Sequence, residues 1–249
     1  MKHNNIILFS LLVFVVSSAD AMVGGPAFCV GNAVTSMTVE AERASYNVPM
    51  SSELSGSGGT QSQRLFLTGR YGLADFLDIQ GKLGTANLDF DDFDNGFSPF
   101  SSSLSLAWGA GLKAGLPITS RFQVNAGVSY IGFSAEGDVT RSGRKVSNKY
   151  LWQEIQPSVT VGYRIAEVTP YIGASKTYLN GKRDFTVSYA GQILEAASGS
   201  NTYSDGEQPI SPLIGLEWHL PDGYSITGEA ASGENGNWSI SLGLSQALR

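Results

Sequence analysis

The stretch "LSLAWGAGLKAGLPI", residues 104 to 118, decides the fold. Leu104, Leu106, Trp108, Ala110, Leu112, Ala114 and Leu116 fall on one parity. Ser105, Ala107, Gly109, Gly111, Lys113 and Gly115 fall on the other. Alternation of this kind is the mark of a β-strand whose two faces meet different surroundings. A lysine inside such a run is costly unless its own face is polar and supplies a partner.

The same period recurs along the chain. "FQVNAGVSY" (122–130), "ISPLIGLEWHL" (210–220) and "NWSISLGLS" (237–245) alternate in this way. Further strands are expected near 35–44, 62–72, 77–90, 150–165, 168–179 and 223–231. With the opening stretch these make ten, and eight or twelve remain alternatives. Connectors alternate in character. "LADF" (73–76), "PITSR" (117–121), "AEV" (166–168) and "PDG" (221–223) are short, whereas 45–61, 91–101, 136–149 and 180–208 are long and polar. Within the last, Asn180-Gly181 is a two-residue hairpin signal. The expected fold class is therefore all-β, a closed antiparallel up-and-down transmembrane β-barrel, with short turns at one end and long loops at the other.

The start of the chain agrees. Lys2, the apolar run "IILFSLLVFVV" (6–16) and "ADA" ending at Ala21 read as an export signal. Eleven apolar residues are too few for a membrane helix, which needs ~20. The expected organisation is a cleaved signal peptide over 1–21, an N-terminal periplasmic stub over 22–34 and an outer-membrane barrel over 35–249. Charged residues are 15% of the 249, below the roughly 25% of soluble domains. A net charge of −6 leaves no basic footprint for nucleic acid. Cys29 is the only cysteine, so no internal disulfide forms and a free thiol on the stub is expected.

In a barrel one parity faces lipid and the other the lumen. Leu112, Ala114 and Trp108 take the lipid, which turns Lys113 inward. The inward parity of the other strands collects Glu40, Glu42, Glu154, Glu217 and Glu229, together with Arg64, Arg70, Lys82, Lys113 and Arg164. This balance predicts an ion network filling the lumen, with Glu40 and Glu42 facing Arg64 or Arg70, and Lys113 reaching Glu217, Glu229 or Glu40. Tyr71, Phe76, Tyr163, Trp218 and Tyr224 lie near the short turns, and Trp152, Phe133 and Trp238 near the long loops, as interface girdles do. Trp152 and Phe133 fall on the lumen parity.

"RYGLADFLDIQGKLG" (70–84), a strand, a tight turn and a return strand, is similar to hairpins of the small outer-membrane β-barrel proteins of Gram-negative bacteria, the opacity-protein and outer-membrane-protein-A-like group. The resemblance covers about residues 35 to 249. Ser241, Gly243 and Leu248 resemble the group's terminal insertion signal, from which Gln246 and the ending Leu248-Arg249 depart. It implies a location in the cell outer membrane, contact with the barrel-assembly machinery during insertion, and a monomer.

No cofactor or metal is expected. Asp89, Asp91, Asp92 and Asp94 in "LDFDDFDNG" (88–96) do not follow the calcium-loop order. After the signal the sole histidine is His219, beside "PDG", at the far end from Asp89 and Asp91. The expectation is accordingly that the chain is not an enzyme. Arg141, Arg144, Lys145 and Lys149 make one long loop basic, and Lys182 and Arg183 another. Such residues pair with phosphates, so outer-membrane lipid and lipopolysaccharide are the expected partners. The function expected is a structural or surface-interaction role through the extracellular loops over a side-chain-filled lumen. The alternative is a small porin-like channel or transporter for ions or small solutes.

Overall fold

The computed structural model describes residues 28–49, 57–90, 99–141, 143–204 and 209–248. Alternating segments become fifteen β-segments joined in one antiparallel sheet. They are β1 (Thr35–Pro49), β2 (Ser57–Ala74), β3 (Leu77–Ala86), β4 (Asp89–Phe90), β5 (Phe100–Ser101), β6 (Ser105–Pro117), β7 (Phe122–Arg141), β8 (Arg144–Tyr163), β9 (Val168–Ser175), β10 (Tyr178–Tyr189), β11 (Gln192–Ile193), β12 (Gly199–Ser204), β13 (Ser211–His219), β14 (Tyr224–Ser232) and β15 (Trp238–Leu248). No α-helix occurs among the described residues.

The hydrogen-bonded path runs β1-β15-β14-β13-β9-β8-β7-β6-β3-β2 and closes because β1 also pairs β2. The sheet is thus an up-and-down barrel whose last strand is zipped to its first, Leu248 opposite Thr35. Ten segments lie on the closed path. The other five extend the wall at one end, so the sheet is larger than ten plain strands.

The short connectors do turn the chain at one end, at 75–76, 118–121, 164–167 and 220–223. At the other end several expected loops are strand. β7 reaches Arg141 and β8 starts at Arg144, so most of 136–149 is paired backbone. The expected loop at 180–208 is largely β10, β11 and β12. Asn180-Gly181 lies inside β10, and the chain reverses at Ala190-Gly191 instead. Those two residues take φ of 50° and 83°, the left-handed pair that a primed hairpin turn requires. β10 continues the line of β9 along β8, from Tyr178 opposite Ile155 to Tyr189 opposite Arg144. The wall is therefore tall over β7, β8 and β10 and short over β13 to β15.

Burial is reversed relative to a water-soluble domain. Leu112 is 51% exposed and its neighbour Lys113 is 7% exposed. Leu65, Leu67, Leu83, Leu106, Val159, Ile172, Ile214 and Leu216 continue the exposed apolar face on neighbouring strands. Trp108 and Tyr130 pack against each other, ring centroids 5.0 Å apart, on that same outer parity.

Candidate functional site: the lumen and its ion clusters

The interior is built in layers along the barrel axis. Towards the tall wall lies an apolar layer of Tyr46, Phe66, Leu88, Phe90, Phe100, Ile131, Phe133, Tyr150 and Trp152, each 5% exposed or less. Phe90, Phe100 and Tyr150 form a ring trio with centroids 4.9–5.7 Å apart. Trp152 joins Tyr46 at 6.1 Å and Phe133 at 6.3 Å. The expectation that Trp152 and Phe133 face the lumen agrees with this placement, so neither belongs to an outer girdle.

Beneath these rings sits the cluster centred on Arg64. Its guanidinium donates to the carboxylates of Glu42 and Glu154. Glu154 also accepts from the Tyr46 hydroxyl at 3.1 Å and from the Trp152 indole N–H. Arg64 and Glu42 are opposite one another in the β1–β2 ladder, while Glu154 reaches in from β8 across the lumen. Two carboxyls thus share one guanidinium, and the neutral donors Tyr46 and Trp152 complete the bonding of Glu154. The next layer holds Lys82 donating to Glu40 at 2.8 Å, with Thr68 donating to the same carboxylate at 3.1 Å. Across from it the Tyr171 hydroxyl donates to Glu229 at 2.9 Å. Tyr171 lies over Gly215 on the paired strand, where a Cβ would stand 2.1 Å from the ring. Only a glycine leaves that ring its place.

At the short-turn end, Arg70 lies 3.7 Å from Asp78. Asp78 is directly opposite Lys113 in the β3–β6 ladder and is 1% exposed. Lys113 interacts electrostatically with Arg70, Glu217 and Asp78 together. It points inward as its parity requires, and the acids about it are Glu217 and Asp78, the latter outside the inward set collected from the sequence. Asp78 shares the parity of Gln80 and Lys82, and that parity was the signal that could have found it. His219 Nε2 stands 3.9 Å from Glu217 and 3.3 Å from the Thr169 hydroxyl.

Residues 28–34, expected as a stub, are docked into this mouth. Val30 N–H donates to the Asp78 carboxylate at 3.0 Å and Asn32 N–H to Asp75 at 3.1 Å. Ala33 N–H donates to the Gly72 carbonyl at 2.9 Å. Arg164 stacks over the Phe28 ring at 4.3 Å, and Phe28 packs against Tyr171, Leu213 and Ala231. Cys29 is half-buried there. Burial first, and then the nearby Asp78 carboxylate, pushes its thiol up to about 11. No periodicity marks 28–34, so its docking has no signature in the sequence.

The basic residues expected to meet lipid phosphates divide differently. Lys145 pairs with Asp138 at 2.7 Å, Lys149 with Glu136 at 2.6 Å and Lys182 with Asp184 at 2.9 Å, all exposed. Bonding to these lysines holds the Asp138 and Asp184 carboxyls below their ordinary range. Arg144 is exposed, and Arg141 ends β7. Arg183 does not face outward. It is 8% exposed, donates twice to Asn148 at 2.9–3.0 Å and stacks over Phe185 at 4.9 Å. It is a filler of the tall wall. Asp89 accepts from Ser101 and Asn87, while Asp91, Asp92 and Asp94 lie outside the described residues. So does the expected signal peptide. No cluster of three or more metal-ligating side chains occurs among the described residues.

No protein-family model matches the chain, and no curated protein does. Solved structures do. The translocator domain of the autotransporter NalP from Neisseria meningitidis is similar at 11% identity and a TM-score of 0.52, over 99% of this chain and 96% of that one. The outer membrane protease OmpT from Escherichia coli is similar at 10% identity and a TM-score of 0.47, over 91% of this chain and 100% of that one. The toluene transporter TodX of Pseudomonas putida is similar at 12% identity and a TM-score of 0.42, over 92% and 70%. At such identities the likeness is one of fold, and the fold is that of the outer-membrane β-barrels. It does not confirm the opacity-protein subgroup. The expectation that the chain is not an enzyme is overturned, because one similar barrel is itself a protease. That likeness assigns no activity to this chain.

Proposed function

We propose that the chain is an outer-membrane barrel closed to free diffusion, acting through the tall wall and hairpins that rise above the membrane on one side. The observation that carries this reading is the Arg64 cluster beneath a continuous layer of buried rings. Any solute crossing the lumen would have to part a guanidinium from two carboxylates and then pass between Trp152, Phe133 and Tyr46. Breaking such a buried pair costs about 3–5 kcal/mol. A ring of this size also leaves an interior near the limit that side chains can fill. The exposed belt of leucine, isoleucine and valine supports placement in a bilayer, and the signal-like first 21 residues support export to the outer membrane.

Planar-bilayer recording of the refolded full chain tests the reading. No steady conductance above the lipid baseline is expected. Regular, ohmic steps would overturn it.

One observation favours the second reading, a narrow conduit. The short-turn half of the lumen is lined by Arg70, Asp78, Lys113 and Glu217 and is covered by a short segment, 28–34, held mainly by backbone hydrogen bonds. Deleting residues 22–34 would give conductance if that segment were the main obstruction. A closed lumen in the deletion variant places the obstruction at the ring layer.

A further inference from the structure

The short side of the barrel encloses an open cleft at the end away from the short turns. Neighbouring strands line it with one residue each: Gln156 on β8, Ser175 on β9, Ser211 on β13, Ala231 on β14, Ser239 on β15 and Tyr46 on β1. Trp238, the first residue of β15, lines it at the rim. Its empty space, the part open to solvent included, is about 340 Å³. That limits an occupant to one small ring, with the rest of any longer ligand outside. Among the described residues no charged side chain lines the cleft, although ion clusters fill the lumen below it.

Three of these side chains are buried yet keep polar atoms without a partner in the fold. Ser175, Ser239 and Gln156 are each 6% exposed or less. Among the described residues neither serine hydroxyl makes a hydrogen bond. Gln156 donates its amide N–H to the Thr177 hydroxyl at 2.9 Å, which leaves its carbonyl oxygen open. Buried polar groups are bonded almost everywhere in folded chains, and these three can be bonded only by what enters the cleft. The two rings are held from outside it. Tyr46 donates its hydroxyl to Glu154 at 3.1 Å. The Arg43 guanidinium, tied to Gln61 at 2.9 Å, stacks over Trp238 at 5.7 Å. A charged ligand would lose its water here without meeting a counter-charge, which is costly. A neutral ring bearing hydroxyls offers both donors and acceptors to the serines and the amide. Its apolar C–H side suits an aromatic face.

We infer that this cleft binds a neutral pyranose ring, free or at the end of a glycan. Trp238 and Tyr46 take its C–H side, and Ser175, Ser239 and Gln156 bond its hydroxyls. The inference gives a ligand class to the proposed action of the barrel on its tall side, and it rests on that reading.

Saturation-transfer NMR of the refolded full chain, in a detergent without a sugar headgroup, tests it. The probes are the methyl glycosides of glucose, galactose, mannose and N-acetylglucosamine. At least one is expected to bind wild type. Trp238→Leu, and separately Ser175→Ala with Ser239→Ala, should weaken that binding at least tenfold. Trp238→Tyr should keep most of it, and Trp218→Leu, on the exposed belt at the short-turn end, should leave it unchanged. Glycerol has hydroxyls without a ring, and galacturonate is a pyranose with a carboxylate. Each should bind at least tenfold more weakly than the best glycoside. Binding by none of the four glycosides would overturn the site. So would equal binding in the Trp238→Leu and double-alanine variants, or equal binding of glycerol or galacturonate. A tetrasaccharide ending in the same ring separates the two sources. Binding no weaker than the glycoside assigns the cleft to a glycan end, and loss of binding assigns it to a free sugar. Heat-modifiable mobility is read on every variant, so an unfolded barrel is not counted as a lost site. Ohmic steps in a planar bilayer would sink the closed-lumen reading, and they are distinguishable from loss of glycoside binding in a folded barrel.

Discussion

Glu154 takes the Arg64 guanidinium, the Tyr46 hydroxyl and the Trp152 indole at once. Glu154→Leu would leave Arg64 with Glu42 alone and two neutral donors without an acceptor. A loss of about 3–5 kcal/mol is expected, the range for breaking a buried pair, read as a fall in the urea midpoint of the heat-modifiable form. Lys113→Met should cost less, because Asp78 keeps Arg70 beside it; equal losses would refute this division of the lumen. Cys29 makes a second test. With its thiol at about 11 in the folded chain against roughly 8.5 for a free thiol, the folded form is favoured while the thiol keeps its proton. That contribution is complete below about pH 8.5 and fades as the pH climbs towards 11. Iodoacetamide should therefore alkylate Cys29 at pH 8 at least tenfold more slowly in the folded barrel than in urea. Equal rates would show that 28–34 is not docked.

At the scale of the element, the strands were legible where lipid forces a contrast between their faces. Residues 104–118 separate leucine from glycine and lysine so cleanly that both the strand and the inward turn of Lys113 follow from parity. The upper parts of β7, β8 and β10 were not legible. Above the bilayer their outer face meets water, so "GDVTRSGRKVSNK" (137–149) is polar on both parities and resembles a loop. Tyr46 was missed for the related reason that β1 runs on past the point where its alternation fades. Asp78 was legible and overlooked. The hairpin at Asn180-Gly181 was a sound local signal overruled by the long ladder with β8, which carries both residues as strand. The turn that forms at Ala190-Gly191 places an alanine at φ 50°. Ala190→Asn would install the residue pair this turn prefers and should stabilise the β10–β12 hairpin by up to ~1 kcal/mol. Hydrogen exchange of the Lys182 and Asp184 amides would report it. Slower exchange is expected, and faster exchange would contradict the turn assignment.

For the whole molecule, orientation is the property most directly open to measurement. In a Cys29→Ser background, a cysteine at Gln192 on the tall side should react with an impermeant maleimide on intact cells, and one at Asp222 in a short turn should not. Reaction at Asp222 would invert the barrel.

The span of the Arg64 cluster along the chain constrains how such a molecule can be born. One of its acids lies 22 residues earlier and the other 90 residues later. The Lys82–Glu40 pair bridges 42 residues and the Tyr171–Glu229 pair 58. A sheet fed into hydrocarbon hairpin by hairpin would present an arginine short of its second acid, at ~2–4 kcal/mol for a single arginine at the midplane. The chronology that avoids this rolls the polar face inward first. β8 then arrives before the β1–β15 seam shuts, and the nascent wall meets lipid only once its charges already face one another.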